Sequence, residues 1–328
     1  MTTTPTRWGI IGTGRIAGVF AEGLRELPDA QLVAVGSRAQ ESAEAFGARH
    51  GASRRYASYE AVAADPEVDA VYIATPHSAH AENTIMCLEA GKAVLCEKPF
   101  AINARQAARM VAVARERRVF LMEAMWTRFL PVLVRVRQLL AEGAIGEVRM
   151  VTSDFGFRTT VNPKSRLFDP ALGGGGLLDV GVYPISLASM VFGGEPERIA
   201  SMADIGETGV DEQGAAILGY GPGRMAIVWT AVRTNTPHET TILGAEGRIR
   251  IHPPSWCPTA FTISRPSGEE RVELPFPGNG YQFEAAEVAR CLRAGRLESD
   301  VMPLDETLAI VRTMDRIRAQ WGLRYPME

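Results

Sequence analysis

Two short segments hold the residues whose types and spacing best suit chemistry. The first, Gly12-Thr13-Gly14-Arg15-Ile16-Ala17, reads G-x-G-x-x-A between an apolar β-like run and a helical stretch. In such a turn the first glycine permits a tight reversal and the second lets backbone approach a pyrophosphate. The small third residue lets helix and strand pack closely, and the helix N-terminus offers unpaired N–H groups with a partial positive charge. The motif alone is weak, because glycine-rich strand-to-helix turns are common. Its place at the first such turn of an alternating region gives it weight. NAD sites put Asp or Glu about 20 residues after the glycines, on the ribose 2′-OH. Here the next run ends Val35-Gly36-Ser37-Arg38, with no carboxylate. Ser37 can donate to a 2′-phosphate and Arg38 can add a charge-assisted bond. NADP is the expected dinucleotide, with NAD the lesser alternative.

The second segment, Glu97-Lys98-Pro99, closes the apolar run Ala93–Cys96. Open α/β sheets bind ligands beyond the carboxyl ends of their strands. Lys98 is therefore expected to point into a cleft, beside an acid and ahead of a proline whose peptide bond is expected to be cis. His77 and His80 follow Ala74-Thr75-Pro76 at a spacing a helix could bring together. No third ligand is suggested nearby, so no metal site is expected. Arg128 and Arg158 could bind cofactor or substrate hydroxyls, or sit solvated on the surface. Trp126, Phe155 and Phe157 could build an aromatic wall, or simply pack in a core.

These residues need a frame. Apolar, β-branched runs at 8–12, 32–36, 70–74, 93–96 and 119–122 alternate with helical patterns at 16–27, 39–50, 77–90 and 104–117. That alternation predicts a doubly wound parallel sheet covered on both faces, an N-terminal Rossmann-type domain over residues 1–125. After about Trp126 a helix at 131–141 is followed by long runs at 147–157, 214–220, 225–232, 239–243 and 248–252. Few crossover-length helices separate them, so residues 126–328 are expected to form an α/β domain on a large, mostly antiparallel, open-faced sheet. Helices are expected at 282–293 and 304–320.

The 328 residues are 46% hydrophobic and 22% charged, with 35 Lys and Arg against 38 Asp and Glu and a net charge of -3. That balance argues against a nucleic-acid partner. No run of about 20 apolar residues suggests a membrane span. The four cysteines are scattered and form no C-x-x-C pair, and an apolar β pattern begins within ten residues of Met1. Together these features lead us to expect a cytoplasmic protein.

At this point the chain resembles the Gfo/Idh/MocA family of NAD(P)-dependent sugar and inositol oxidoreductases. Four segments carry the likeness: GIIGTGRIA (9–17), ATPHSAH (74–80), EAGKAVLCEKPFAINARQA (89–107) and GGGGLLDVGVYPI (173–185). EAMWTRFLP (123–131) narrows it to the branch of dimeric dihydrodiol and NADP-dependent xylose dehydrogenases. The resemblance implies that Lys98, Asp179 and Tyr183 are catalytic. It implies that Gly12, Thr13, Gly14, Arg15, Ile16, Ser37, Arg38, Ala74, Thr75, Pro76, His77, His80, Glu97, Lys98 and Arg128 lie along the cofactor. Trp126, Phe155, Arg158, Asp179 and Tyr183 would face a carbohydrate or diol. Many members have histidine where Tyr183 stands, and a further acid where Ser186 stands, so a His–Asp pair is not expected. A tyrosine titrates near pH 10 in water, so it is a poor base near neutrality unless an ammonium favours its phenolate. A homodimer or homotetramer through the C-terminal sheet is implied. The competing readings are a ketosugar or anhydrosugar reductase, a cycle on a tightly held cofactor, and a non-catalytic dinucleotide sensor.

Overall fold

The computed structural model describes residues 4–328. It divides into two compact units. One holds the residues up to Ala101, Arg105–Trp126 and Pro277–Thr307; the other holds Ile102–Ala104, Thr127–Phe276 and Leu308–Glu328. The stretch 277–307, expected with the second domain, instead packs in the first. Its helix α8 (Tyr281–Arg293) lies against helix α1 (Arg15–Leu24). Asn279 Nδ2 donates to Val19 O at 2.7 Å, and Gly23 leaves room for Tyr281.

The first unit is built on β1 (Thr6–Ile11), β2 (Ala30–Gly36), β3 (Arg54–Tyr56), β4 (Ala70–Ile73), β5 (Ala93–Glu97) and β6 (Leu121–Ala124). They form one parallel sheet in the order β3-β2-β1-β4-β5-β6. The order reverses beside β1, and ligands of such sheets bind at this reversal. Five strands were expected and six are present. β3 carries two arginines in three residues, too short and too charged for an apolar run. Helices α1, α2 (Gln40–His50), α3 (Tyr59–Ala64), α4 (His80–Glu89) and α5 (Ala104–Arg117) connect the strands. Phe20 of α1 stacks on Tyr72 at 3.7 Å and meets Trp8 edge-on at 5.2 Å, which fixes the start of α1 over the sheet.

The second unit holds α6 (Pro131–Ala141), β7 (Val148–Gly156), α7 (Val182–Phe192), β8 (Arg198–Ile205), β9 (Asp211–Gly219), β10 (Met225–Ala231), β11 (Thr240–Gly244), β12 (Arg248–Ile251), β13 (Ala260–Arg265), β14 (Gly268–Glu273) and, from Leu308 on, α9 (Leu304–Gln320). Its eight strands run β14-β13-β12-β11-β7-β10-β9-β8, antiparallel except for the β7–β10 pair. Buried and outward residues alternate along β9 and β10, as expected of a sheet packed on one face only. The segment 170–192 is long and apolar enough to cross a bilayer by length and composition alone, but it is mostly buried within this unit.

Candidate active site

Gly12 has φ +102, and a Cβ there would lie 2.7 Å from the Ala74 carbonyl oxygen. Glycine is required because the end of β4 passes against the turn, a closer constraint than any ligand. Gly14 is different. It is the residue before α1, with φ -76 and ψ -177, and a Cβ there meets nothing within 4 Å. No side chain caps α1 and no acid stands in its first turn, where Arg15 is exposed. Ile16 is half-buried, and Ala17 is fully buried where helix meets strand. Open space over unpaired helix N–H groups is the cradle a pyrophosphate needs, so these residues fit a dinucleotide. At the end of β2, Ser37 Oγ lies 3.4 Å from Thr13 Oγ1, and Arg38 is exposed. No carboxylate stands at this strand end, and the pair fits a 2′-phosphate.

The 74–76 and 97–99 loops are tied together. His80 is completely buried, with Nδ1 2.8 Å from Pro99 O and Nε2 3.0 Å from Thr75 O. Both ring nitrogens face carbonyls, so His80 clamps the two loops together. Asn83 Nδ2 adds a bond to Thr75 Oγ1 at 3.1 Å. Ala74, Thr75 and His77 are each 6–7% exposed, and Pro76 is half-buried. Among the described residues no group of three His, Cys, Asp or Glu is arranged to hold a metal.

The Lys98–Pro99 peptide is cis, as expected. Glu97 is buried rather than turned outward. It accepts a short hydrogen bond from the Tyr72 hydroxyl and one from Lys98 N at 3.0 Å. Burial against Glu97 pushes the Tyr72 phenol well above its usual range. Glu284 of α8, fully buried with both oxygens unpartnered, is likewise pushed well up by burial and by Glu97. Glu123 accepts from Phe100 N at 3.2 Å and Thr307 Oγ1 at 3.1 Å, fixing the chain just beyond Pro99. Lys98 itself is half-buried. Glu97 thus positions the strand end that carries Lys98. Trp126 belongs to this first unit, stacked on Tyr281 at 4.5 Å and 3% exposed. It packs in the core of this unit.

In the second unit, Tyr183 opens α7 beside an aromatic group. Phe155, half-buried, lies 5.3 Å from the Tyr183 ring and 5.3 Å from Trp256, the latter pair parallel to within 6°. His238 meets Phe155 edge-on at 5.2 Å and Phe157 does so at 6.5 Å. Sequence reading missed Trp256 and His238. The one local signal is conformational: His238 has φ +59, a left-handed backbone rare outside glycine, held by a bond from its N–H to Asp154 at 2.7 Å. Asp179 is 5% exposed and bonds Arg166 Nη1 at 2.8 Å. Arg128 is not a surface residue: it is buried, with Nε on Ser186 Oγ at 3.0 Å and Nη2 on Ser186 O at 2.6 Å. It steadies α7 from the side. Arg158 is exposed at the end of β7, its N–H bonded to Asn235 Oδ1 at 2.8 Å. The Gly173–Gly176 run is a close-packed loop. A Cβ on Gly174 would strike Leu167 O at 2.7 Å, and one on Gly175 (φ +112) would strike Asp211.

Comparison with known proteins agrees with this architecture. Residues 6–125 match the model described as "Oxidoreductase family, NAD-binding Rossmann fold", and residues 133–250 match the "GFO/IDH/MocA C-terminal domain". A trans-1,2-dihydrobenzene-1,2-diol dehydrogenase of Xenopus laevis is 40% identical over 98% of this chain and 99% of its own. A 3-ketoreductase of Actinomadura kijaniata, solved with NADP and TDP-benzene, superposes with a TM-score of 0.86 at 28% identity, covering 96% of this chain and 98% of its own. An aldose-aldose oxidoreductase of Caulobacter crescentus gives 0.88 at 26% identity, covering 97% and 98%.

Proposed function

Because the chain belongs to the Gfo/Idh/MocA family of oxidoreductases, we propose that it oxidises a cyclic vicinal trans-diol, an aldose or a polyol with NADP. The observation that carries this reading is the Phe155–Trp256–Tyr183 group, in which Phe155 stacks on Trp256 and the Tyr183 ring leans against Phe155 at 54°, an aromatic surface beside a hydroxyl-bearing side chain. Such a surface suits a ring that carries hydroxyls. The Xenopus laevis relative's named substrate is a ring of this kind.

The first unit holds the dinucleotide: Gly12, Thr13, Gly14, Arg15 and Ile16 at the pyrophosphate, Ser37 and Arg38 at the 2′-phosphate, and Ala74, Thr75, Pro76 and His77 along its length. His80 and Glu97 act by holding the loops. When bound, the nicotinamide supplies or takes the hydride. Tyr183 exchanges the hydroxyl proton of the substrate, the acid–base step that hydride transfer requires. Lys98 donates a hydrogen bond to the oxygen on which negative charge develops, a preorganised donor worth about 3 kcal/mol in a dry site. Asp179, with Arg166, orders the polar edge of the site, and Arg158 and Phe155 face substrate.

A second copy covers the open sheet. Register places Met202, Ala215 and Trp229 side by side across β8, β9 and β10, with Ala200, Ile217 and Ile227 as the next row. Met202 is 79% and Ile217 47% exposed. Contiguous apolar residues of this kind mark an interface, and a homodimer or homotetramer in the cytoplasm is the form we propose.

The named 3-ketoreductase activity of the Actinomadura kijaniata structure favours a second reading, reduction of a ketosugar with NADPH. A panel of trans-diols, aldoses and polyols with NADP+, run beside ketosugars with NADPH, separates the two at the nicotinamide absorbance band. Oxidative turnover with NADP+ supports the first reading. Turnover confined to the ketosugars supports the second, and none in either direction overturns both.

A further inference from the structure

The segment that carries Asp179 and Tyr183 begins in an unusual way. Leu177–Gly181 is a π-helical turn that runs directly into α7, and no side chain of its own segment caps it. It follows four glycines, which bring no side chains to hold the turn in place. A π turn contains one residue more than the α-helical spacing and is seldom stable without a reason in its surroundings. The surroundings here supply one. Asp211, at the start of β9, is completely buried, and its Oδ2 accepts from Leu177 N at 2.6 Å. Its Oδ1 has no hydrogen-bond partner and lies so close to Gly175 that a Cβ there would come within 2.2 Å. Other contacts also hold this loop, among them the Tyr325 hydroxyl on Gly174 O at 2.7 Å, Thr230 Oγ1 on Gly176 O at 3.3 Å and the Asp179–Arg166 ion pair.

We propose that Asp211 is a positioning residue. Its carboxyl, reaching from β9 to the first N–H of the π turn, fixes the rotational phase of the helix that presents Asp179 and Tyr183. Each residue of an α-helix advances it by about 100°. If the turn sheds its extra residue and relaxes to α geometry, the side chains beyond it swing by about that angle, and Tyr183 leaves its place beside Phe155. The same contact explains Gly175. Any side chain at 175 would displace the carboxyl that anchors the turn. This inference rests on the reading of Tyr183 as the proton-exchanging group.

The test compares Asp211→Leu, Asp211→Ala and Asp211→Asn with Tyr183→Phe, using the best substrate of the panel above. Leucine keeps the branched shape but is larger and has no acceptor, so alanine is run beside it as the smaller variant, whereas asparagine keeps an oxygen for Leu177 N. The expected result is a kcat lowered at least tenfold in the Leu and Ala variants. NADPH affinity should stay within twofold, and the Asn variant should recover to within about threefold of wild type. Wild-type kcat in Asp211→Leu beside an inactive Tyr183→Phe overturns the inference alone. Wild-type kcat in Tyr183→Phe overturns the reading of Tyr183, and the inference with it. Unfolding of both Leu and Ala variants beside a fully active Asn variant marks a purely structural residue and also overturns the proposal.

Discussion

Two glycines one residue apart should fail in opposite ways when replaced by alanine. At Gly12 the backbone is at φ +102 and the new Cβ would sit 2.7 Å from Ala74 O, a main-chain atom that cannot turn aside. A strained backbone of this kind costs about 1–3 kcal/mol, and the contact adds to it, so about 3 kcal/mol is expected for Gly12→Ala. For a domain of this size each kcal/mol lowers Tm by about 2–4 °C, giving a drop on the order of 10 °C. At Gly14 the dihedrals are φ -76 and ψ -177, open to any residue, and the Cβ meets nothing within 4 Å. Gly14→Ala should cost the fold under about 1 kcal/mol, the usual difference between these residues at a helix N-cap. The methyl group instead fills the space over the helix N–H groups, and NADPH should bind at least tenfold more weakly, about 1.4 kcal/mol. Thermal melts and NADPH fluorescence titrations read the two effects separately. A Gly14→Ala protein that binds NADPH within twofold of wild type would refute the placement of the pyrophosphate.

Three further outcomes are expected. Ser37→Asp with Arg38→Ala should move the NADP-to-NAD specificity ratio by more than tenfold, since a charge-assisted hydrogen bond is worth about 1.5–3 kcal/mol; a shift below about threefold means the 2′-phosphate is read elsewhere. Burial pushes the Asp211 carboxyl up to about 7 from 3.8, so the folded state holds this proton more tightly than the unfolded chain. The stability it contributes is full below about pH 4 and is lost as pH rises through about 7. Three pH units at 1.36 kcal/mol set an upper bound of about 4 kcal/mol. In urea unfolding from pH 4 to 8, wild type should lose stability relative to Asp211→Asn, and parallel curves would contradict the assignment. Ile217→Asp, on the exposed row of β9, should lower the sedimenting mass of the proposed oligomer to that of a monomer; an unchanged mass rules this sheet out as the interface.

Where local pattern suffices, the sequence was legible. Continuous apolar runs gave β1, β2, β4 and β5, and the helices at 104–117 and 304–320 fall where the periodicity puts them. Elements without an apolar run were missed: β3 with Arg54 and Arg55, β8 with small and polar residues, and the charged edge strand β14 (GEERVE). The glycine run at 173–176 carries no local sign of its packing, because Gly175 and Gly176 face Asp211, far along the chain. Trp126 and Arg128 were recognised as special residues, but what each packs against was not legible. Their partners, Tyr281 and Ser186, come from elements that local periodicity cannot bring together. Motifs with a fixed local geometry, the glycine turn and the Glu-Lys-Pro strand end, were the readable part of the site. The residues that hold them, His80 excepted, come from elsewhere in the fold.

The central claim is that Tyr183 carries the proton, and single-turnover hydride transfer in Tyr183→Phe tests it most directly. Phenylalanine keeps the ring that packs beside Phe155 and removes only the ionisable oxygen, so the fold and NADP affinity should survive. With the enzyme saturated by NADP+ and mixed with its best diol or aldose, the transfer rate should fall by about 10²–10⁴-fold, the usual contribution of a positioned acid–base group. A rate above about one tenth of wild type would contradict the account.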